Sequence, residues 1–294
     1  MRIVITGGLG FLGRWLAKYL VLDHNVVLLT RNVDSIMLPL PAAVEVWQTD
    51  YSKDSLSKLL AGFDLVIHLA GNRFKDEDYE LLEDNLKVLN SVLYAMVNNG
   101  VPRFVFTSSR SVYTPFPQMP SVESEELEPV DFYGLSKVLC ESMIKYYASS
   151  HGLKTLIFRV AQVIGWGERI NNFHMGSIHK ALLNQVPLKV FGDGMSKSNY
   201  IYVKDVCRAI RIAIESDFTC GVYNLGGRRS YTNLEYANCV SKTLTGTESV
   251  EMEPMIKSTN RNYEMDCSKI QGELGWVPEF DLREALEDMS SSKP

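Results

Sequence analysis

Short runs of apolar residues alternate with amphipathic stretches through the first half of the chain. The runs are rich in Val, Ile and Leu, and strands that are apolar on both faces are typical of a parallel sheet covered by helices. Regular alternation of strand and helix therefore predicts an α/β protein with a doubly wound parallel sheet, the Rossmann fold. The predicted strands are 2–6, 25–30, 44–48, 64–69, 103–107 and 154–160, and the predicted helices are 11–22, 54–61, 79–98 and 131–149.

The pattern loosens after about residue 165. Helical stretches are predicted near 174–184, 205–216, 233–245 and 282–290, with the short strands "LKVF" and "VYNLG" between them. We therefore predict a dinucleotide-binding domain over 1–165, to which segments around 199–226 return. Most of 166–294 is predicted to form a smaller, mixed substrate-binding lobe.

Bulk properties narrow the classes of function. The formal net charge of −5 shows no basic footprint, which argues against nucleic acid or an anionic membrane as a partner. No apolar run approaches the roughly 18 residues of a membrane span, and the first residues lack the apolar region of a signal peptide, so we expect neither. The five cysteines show neither CxxC pairing nor metal-ligand spacing with histidine. We expect reduced thiols, no metal site and a cytoplasmic protein.

A glycine-rich turn, "TGGLGFLG", directly follows the first predicted strand and precedes a helix. Gly7 permits a tight turn, Gly10 lets the backbone approach a pyrophosphate, and Gly13 lets the helix pack close to the strand. Phe11 and Leu12 begin that helix, where unpaired N–H groups and the helix dipole favour a phosphate. The turn therefore predicts a dinucleotide site.

The end of the second strand bears on the choice of dinucleotide. An acid usually stands there and accepts from a ribose 2′-hydroxyl, but this chain has Thr30 and Arg31. A guanidinium suits a 2′-phosphate, which favours NADP over NAD, although Arg31 could also be a solvated loop residue.

Further residues follow the third and fourth strands. Asp50, followed by Tyr51, could accept a hydrogen bond from the adenine amino group. Leu69 and Ala70 end the fourth strand, where small residues let the backbone pass close to a cofactor. His68 precedes them, and we interpret it as a packed strand residue and not as a metal ligand.

A possible catalytic group lies in "YGLSK", where Tyr133 precedes Lys137 by one helical turn. The ammonium would favour the phenolate and lower the pKa of Tyr133, so that the phenol could exchange protons near neutral pH. A lone motif of this kind also occurs on ordinary surface helices. Ser108 and Ser109 end the fifth strand, and a hydroxyl there could donate to a developing alkoxide.

Taken together, these segments resemble the extended short-chain dehydrogenase/reductase family in its NAD-dependent nucleotide-sugar epimerase/dehydratase branch. The similarity covers nearly the whole chain, through "TGGLGFLG", "HLAG", "DNLKVLN", "FVFTSSRSVY", "YGLSK", "VFGDG", "YIYVKDV", "YNLGG" and "DCSKIQGELGW". The resemblance implies that Tyr133 is the acid/base, that Lys137 tunes it and contacts the nicotinamide ribose, and that Ser109 is the hydroxyl partner. It also implies a homodimer that pairs helices like 79–98 and 131–149.

One departure from the family concerns dehydration. Family dehydratases carry an Asp-Glu pair after the catalytic hydroxyl, whereas this chain has Arg110 and Ser111. Neither residue can replace a carboxylate acid/base pair, so we do not expect a 4,6-dehydratase.

Other departures concern the substrate. Ser198 replaces the family's phosphate-binding arginine, and Gln162 replaces an asparagine that usually touches the substrate. Gln162 keeps an amide donor and acceptor and stays a candidate substrate contact. Phosphate contact could shift to Arg261 or Lys257, although either could equally be a solvated loop charge.

The leading hypothesis is therefore an epimerase of nucleotide-diphosphate sugars that oxidises and re-reduces a sugar C4 hydroxyl, as UDP-sugar 4-epimerases do. The alternative is an NADP(H)-dependent reductase of nucleotide-4-ketosugars, which uses the same residues for one half-reaction and which Arg31 favours. A third possibility is a dinucleotide-binding sensor without turnover. Retention of Ser109, Tyr133 and Lys137 argues against a sensor, which needs no acid/base pair.

Overall fold

The computed structural model describes residues 1–33, 40–71, 79–116, 120–170, 173–216, 220–254 and 261–292. By the density of its internal contacts the chain divides into two compact units. Unit 1 consists of Met1–Tyr113, Glu126–Arg159 and Cys207–Tyr223, and unit 2 consists of Thr114–Glu125, Val160–Val206 and Asn224–Pro294.

The main sheet has seven strands and confirms the predicted Rossmann fold. Val4 of the first strand pairs in parallel with Val27 on one side and with Val66 on the other, and none of the three side chains is exposed. Burial on both faces explains why these strands read as continuous apolar runs. The strands are β1 (Arg2–Thr6), β2 (Asn25–Thr30), β3 (Glu45–Gln48), β4 (Leu65–His68), β5 (Arg103–Ser109), β6 (Lys154–Val160) and β10 (Gly221–Leu225).

The spatial order of the strands is β10-β6-β5-β4-β1-β2-β3. The chain therefore runs outward from β1 through β2 to β3, and then returns to place β4 on the other side of β1. Open α/β sheets bind ligands at the carboxyl ends of the strands where the order reverses. This topology directs attention to the residues that follow β1, β2 and β4.

Among the described residues, four helices belong wholly to unit 1, and their ends differ from the predicted ends by at most two residues. Side-chain caps begin two of them: Ser52 accepts from Ser55 N before α2, and Asp131 accepts from Gly134 N before α4. A left-handed glycine, Gly152, ends α4. The four are α1 (Phe11–Leu20), α2 (Lys53–Leu59), α3 (Tyr79–Asn99) and α4 (Phe132–His151).

Unit 2 is built on a four-stranded sheet, in which the central strand β9 (Lys197–Tyr202) pairs with three others. Thr232 and Asp281 begin two of its helices with complete capping boxes. The partners of β9 are β7 (Gln162–Ile164), β11 (Ser230–Thr232) and β13 (Asn262–Tyr263), while β8 (Leu188–Phe191) and β12 (Val250–Glu253) form a separate two-stranded sheet. The helices are α5 (Phe173–Leu182), α7 (Asn233–Thr245), α8 (Ser268–Leu274) and α9 (Leu282–Ser291), and α6 (Val203–Glu215) spans the division.

The second half differs from the prediction in detail. The segment "VYNLG", which falls within the predicted returning segments around 199–226, lies in β10 at the edge of the main sheet. Strand β9 was not predicted, because its residues, "KSNYIY", mix polar and apolar positions. Within the described residues, no helix is both long and apolar enough to cross a membrane.

Candidate functional site

The glycine-rich turn lies directly after β1, where its backbone is pressed against the end of β4. Gly7 has φ = +66°, and a Cβ atom there would lie 2.7 Å from Ala70 N. Gly10 is the N-cap of α1, and no described side chain caps its first turn. A Cβ atom at Gly13 would lie 2.4 Å from Gly8 O. The N–H groups of the first turn of α1, which includes Phe11 and Leu12, therefore remain suited to an anion.

A cleft of about 360 Å³ opens beside this turn. Its lining includes six residues that the sequence assigned to a dinucleotide, namely Gly7, Gly10, Arg31, Tyr51, Leu69 and Ala70. The sequence analysis missed the α3 side, where Asp84, Asn85 and Val88 line the same cleft. The only signal for these residues was their place in "DNLKVLN", which was noted as a family segment and not as part of a site.

Tyr51 braces the turn through its hydroxyl group. The hydroxyl accepts from Gly7 N at 3.0 Å and donates to Leu29 O at 3.0 Å, and burial raises the pKa of this phenol. Asp50 lines an adjoining cleft together with Arg31 and Gln48, and its carboxylate accepts from Ser52 N at 2.9 Å. That hydrogen bond lowers the pKa of Asp50, which keeps the group ionised at neutral pH.

Arg31 is an ion-paired residue and not a free one. Its Nη2 atom donates to both carboxylate oxygens of Asp84, at 2.9 and 3.0 Å, and this hydrogen bond raises the pKa of Arg31. The sequence left two interpretations of Arg31 open, a contact for the 2′-phosphate of NADP and a solvated loop residue, and neither included Asp84. The preference for NADP stays a prediction.

Tyr133 and Lys137 lie on the first turns of α4. Lys137 is buried, and its Nζ atom donates to Thr107 O at 2.9 Å. The same atom lies 5.7 Å from the ring centre of half-buried Tyr133 and 4.6 Å from that of Phe106. The cation is therefore held by the end of β5 and faces the phenol ring.

The region around Lys137 adjoins the dinucleotide cleft. A Cβ atom on Gly71, which lines that cleft, would lie 3.8 Å from Lys137 Nζ and 3.7 Å from Asn85 Oδ1. The ends of β4, α3 and α4 thus meet at one point. A group bound in the cleft could therefore extend toward the ammonium.

The two serines at the end of β5 have different surroundings. Ser108 is buried and donates through its hydroxyl to Glu141 Oε1 at 2.6 Å, so its hydrogen is already committed. Ser109 Oγ accepts from Ser111 N at 3.1 Å, which leaves its hydroxyl hydrogen for another acceptor. This difference favours Ser109 as the donor to a substrate oxygen.

Gly134 lets α4 approach the turn that follows Ser109. A Cβ atom at Gly134 would lie 2.1 Å from Ser111 O and 2.9 Å from Pro129 Cβ. The sequence analysis missed this role, because a glycine after Tyr133 looks like an unfavourable residue inside a helix.

We expect Gly134→Ala to lower both the free energy of unfolding and the turnover rate, since α4 must move away from Ser111 O. Alanine in an ordinary helix stabilises by about 1 kcal/mol relative to glycine. Gly272→Ala on α8 is the matched control, because a Cβ atom there meets nothing within 4 Å. Urea denaturation checks both variants. A Gly134→Ala protein as stable as Gly272→Ala would show that the approach is not tight.

His68 lies within the sheet, as predicted. Its Nδ1 atom is 2.7 Å from Thr6 Oγ1, and its ring stacks on Phe106. Burial, aided by the charge of Lys137, lowers the pKa of His68 to about 3, so the imidazole is neutral. In the described part of the chain, no three His, Cys, Asp or Glu residues are grouped so as to hold a metal ion.

The candidate substrate residues other than Ser109 belong to unit 2. Gln162 pairs with Tyr200 across β7 and β9, and Arg261 O accepts from Lys197 N at the start of β9. The Arg261 side chain is exposed, whereas Ser198 is buried within β9. Lys257 lies outside the described residues. Their roles stay predictions.

Comparison with known proteins agrees with this geometry. Residues 3–226 match the model of the NAD dependent epimerase/dehydratase family. The chain is 26% identical to a UDP-glucose 4-epimerase of Corynebacterium glutamicum, over 98% of this chain and 94% of that protein. It is 24% identical to a dTDP-4-dehydro-6-deoxyglucose reductase of Escherichia coli, over 99% and 96% respectively.

Among solved structures, the fold superposes on a UDP-N-acetylglucosamine 4-epimerase from Methanobrevibacter ruminantium M1, which is in complex with UDP-N-acetylmuramic acid. The TM-score is 0.87 at 26% identity, and the match covers 99% of this chain and 97% of the other. The family match spans the glycine-rich turn, the end of β5 and the first turns of α4. The chain therefore belongs to the NAD dependent epimerase/dehydratase family.

Proposed function

We propose that this protein is a nucleotide-sugar 4-epimerase that uses a bound nicotinamide dinucleotide. The single observation that carries the proposal is the grouping of Lys137 and Tyr133 on α4, beside the dinucleotide cleft at Gly71. A binding protein gains nothing from a buried ammonium directed at a phenol ring. An enzyme that moves a hydroxyl proton needs such a pair.

The residues present fit the dinucleotide. The uncapped first turn of α1 suits its pyrophosphate, and Gly7 and Gly10 leave no side chain between that turn and the cleft. Lys137 would bind the nicotinamide ribose. The dinucleotide, when bound, supplies hydride acceptance and return at the sugar carbon, which no side chain can provide.

The protein's own residues handle the proton. Tyr133 takes the proton of the sugar C4 hydroxyl during oxidation and gives it back after the keto sugar has turned over. Lys137 stabilises the phenolate that takes this proton and that forms again when the proton is returned. Ser109 donates its hydroxyl hydrogen to the same substrate oxygen, because its own oxygen is already occupied by Ser111 N.

The sugar nucleotide itself is proposed from family likeness and from the chemistry of unit 2. Gln162 offers an amide to the sugar, and Arg261 offers a positive charge to the diphosphate in place of the arginine that Ser198 replaces. The relatives named above act on UDP-linked or dTDP-linked sugars by their descriptions. A nucleotide-diphosphate sugar is accordingly the substrate class we propose.

The second candidate is a reductase of nucleotide-4-ketosugars. It is favoured by the similarity to the Escherichia coli reductase and by Arg31, if that residue holds the 2′-phosphate of NADPH. The ion pair between Arg31 and Asp84 weakens the second argument.

The nucleotide content of the purified protein separates these functions. An epimerase is expected to retain its dinucleotide and to convert a sugar nucleotide, detected by NMR, without added reductant. A reductase is expected to purify largely empty and to consume NADPH with a ketosugar. Binding of a dinucleotide without turnover of any sugar nucleotide in a panel of UDP- and dTDP-linked sugars would rule out both.

We also propose a homodimer formed through α3 and α4. Leu135, Leu139 and Tyr146 lie on one face of α4, and each is more than a third exposed. An exposed apolar stripe of this kind is typical of an interaction surface.

Leu139→Glu is therefore expected to convert the dimer to a monomer, because a carboxylate would be buried at the centre of the interface. Sedimentation velocity measures the change. Leu22→Glu is the matched control, since Leu22 is 73% exposed outside these helices. A wild-type protein that sediments as a monomer would refute the proposal.

A further inference from the structure

An ion pair that no sequence pattern predicted lies at the edge of the dinucleotide cleft. Arg31 follows β2 and Asp84 lies in the second turn of α3, and the two residues line the same cleft as Gly7 and Tyr51. The carboxylate is on a helix of 21 residues and the guanidinium is on a strand end. A ligand that reaches one charge at this edge therefore also meets the other.

The balance of charge here is acidic. The cleft beside the glycine-rich turn is lined by Arg31 and Asp84, and the adjoining one by Arg31 and Asp50. Among the described lining residues, these two carboxylates face one guanidinium. The side chain of Arg31 is 49% exposed, so the pair itself contributes little stability, but its two charges still act on a ligand bound between them.

The acidic balance bears on the adenosine ribose. In NAD this ribose carries a neutral 2′-hydroxyl, whereas in NADP it carries a phosphate with close to two negative charges. The position at the end of β2 that usually supplies a carboxylate for the hydroxyl is Thr30. Of the two carboxylates, Asp50 is the predicted acceptor for the adenine amino group, which leaves Asp84, reaching the cleft from α3, for the ribose.

We propose that Asp84 makes this cleft select NAD over NADP, by accepting from the ribose and by neutralising Arg31. The inference rests on the proposed dinucleotide function and deepens it. Selection of NAD also favours the epimerase over the reductase as the function, because an epimerase regenerates its cofactor in place and needs no exchangeable reductant.

Dissociation constants for NAD and NADP, measured by isothermal titration calorimetry, test this assignment. Nucleotide that purifies with the protein is first released with acid from one portion and identified, and the rest is dialysed free of it. We expect the released nucleotide to be NAD, and the wild type to bind NAD more tightly.

Asp84→Asn is isosteric and removes one negative charge. It is expected to shift the ratio of the two constants at least about 10-fold toward NADP, the worth of one charge facing a phosphate at short range. Glu83→Gln is the matched control, because it makes the same charge change on an exposed, adjacent residue of α3. The double variant with Arg31→Ala and Asp84→Asn should not show this shift toward NADP, because the guanidinium released from Asp84 is its cause.

The possible outcomes distinguish a failure of this inference from a failure of the proposed function on which it rests. An unchanged ratio in Asp84→Asn, or an equal shift in Glu83→Gln, would overturn the role of Asp84 and leave the enzyme as proposed. A wild-type protein that binds neither dinucleotide would overturn the proposed function itself.

Discussion

Tyr133→Phe is expected to lower the turnover of the sugar nucleotide by at least about 100-fold, the usual worth of a general acid/base. The substitution removes one hydroxyl group from a half-buried ring and leaves the packing of α4 intact. Lys137 keeps its hydrogen bond to Thr107 O, so the dinucleotide should bind nearly as before. Turnover is followed by NMR of the sugar nucleotide, and binding is followed by calorimetry.

Tyr79→Phe is the control for that variant, because it removes the same hydroxyl from a side chain that is 67% exposed on α3. It should retain wild-type turnover. Activity of Tyr133→Phe close to wild type would show that another group moves the proton. Loss of dinucleotide binding together with turnover would show that the hydroxyl serves the cofactor and not the chemistry.

Arg159→Met is expected to lower the free energy of unfolding by about 3–5 kcal/mol, since it leaves a buried carboxylate without its cation. Arg159 and Glu141 are 2% and 1% exposed. The guanidinium donates to both oxygens of Glu141, at 3.1 and 2.7 Å, and to Tyr113 Oη at 2.9 Å. Burial alone would lower the pKa of Arg159, but the hydrogen bonds to Glu141 raise it, so the residue stays charged.

This network also bears on catalysis. Ser108 donates to Glu141 from the residue before Ser109, and Glu141 lies one turn after Lys137 on α4. The network therefore fixes α4 against the ends of β5 and β6. We expect Arg159→Met to lower turnover even at temperatures where the protein remains folded.

The control is Arg283→Met, which breaks an Arg–Glu pair with the same substitution on the surface of α9. Arg283→Met should lower the free energy of unfolding by no more than about 1 kcal/mol, because exposed ion pairs contribute little to stability. Urea denaturation, followed by tryptophan fluorescence and by circular dichroism, provides both values. If the two variants cost the same, the buried pair does not hold α4 in place.

The sequence predicted the main sheet well because most strands of unit 1 are buried on both faces, which produces clear apolar runs; the edge strand β3 is the exception. Helices of unit 1 were equally clear, since capping residues such as Ser52 and Asp131 mark their starts. Unit 2 was predicted less well. Its central strand β9 carries polar residues at the positions of Lys197, Ser198 and Asn199, so it lacks the periodicity of a strand.

The residues of the candidate site also differ in how well the sequence predicted them. Gly7, Tyr133 and Lys137 stand in local motifs, which placed Gly7 at the end of β1 and the other two on the helix that follows β5. Asp84 and Arg159 form pairs across 53 and 18 residues of sequence, and no local pattern predicts such partners. Arg31 is an example: its bearing on the choice of cofactor depends on Asp84, which lies far away in sequence, in α3.

The most direct measurement follows the hydrogen at the sugar C4 carbon by NMR, in heavy water, while the wild-type protein converts a UDP- or dTDP-linked sugar. If Tyr133 moves only the hydroxyl proton and the carbon-bound hydrogen is kept within the site, the C4 epimer should appear without deuterium at C4. The Tyr133→Phe protein should yield almost no epimer in the same time. Deuterium at C4 of the product, or equal yields from the two proteins, would contradict the account.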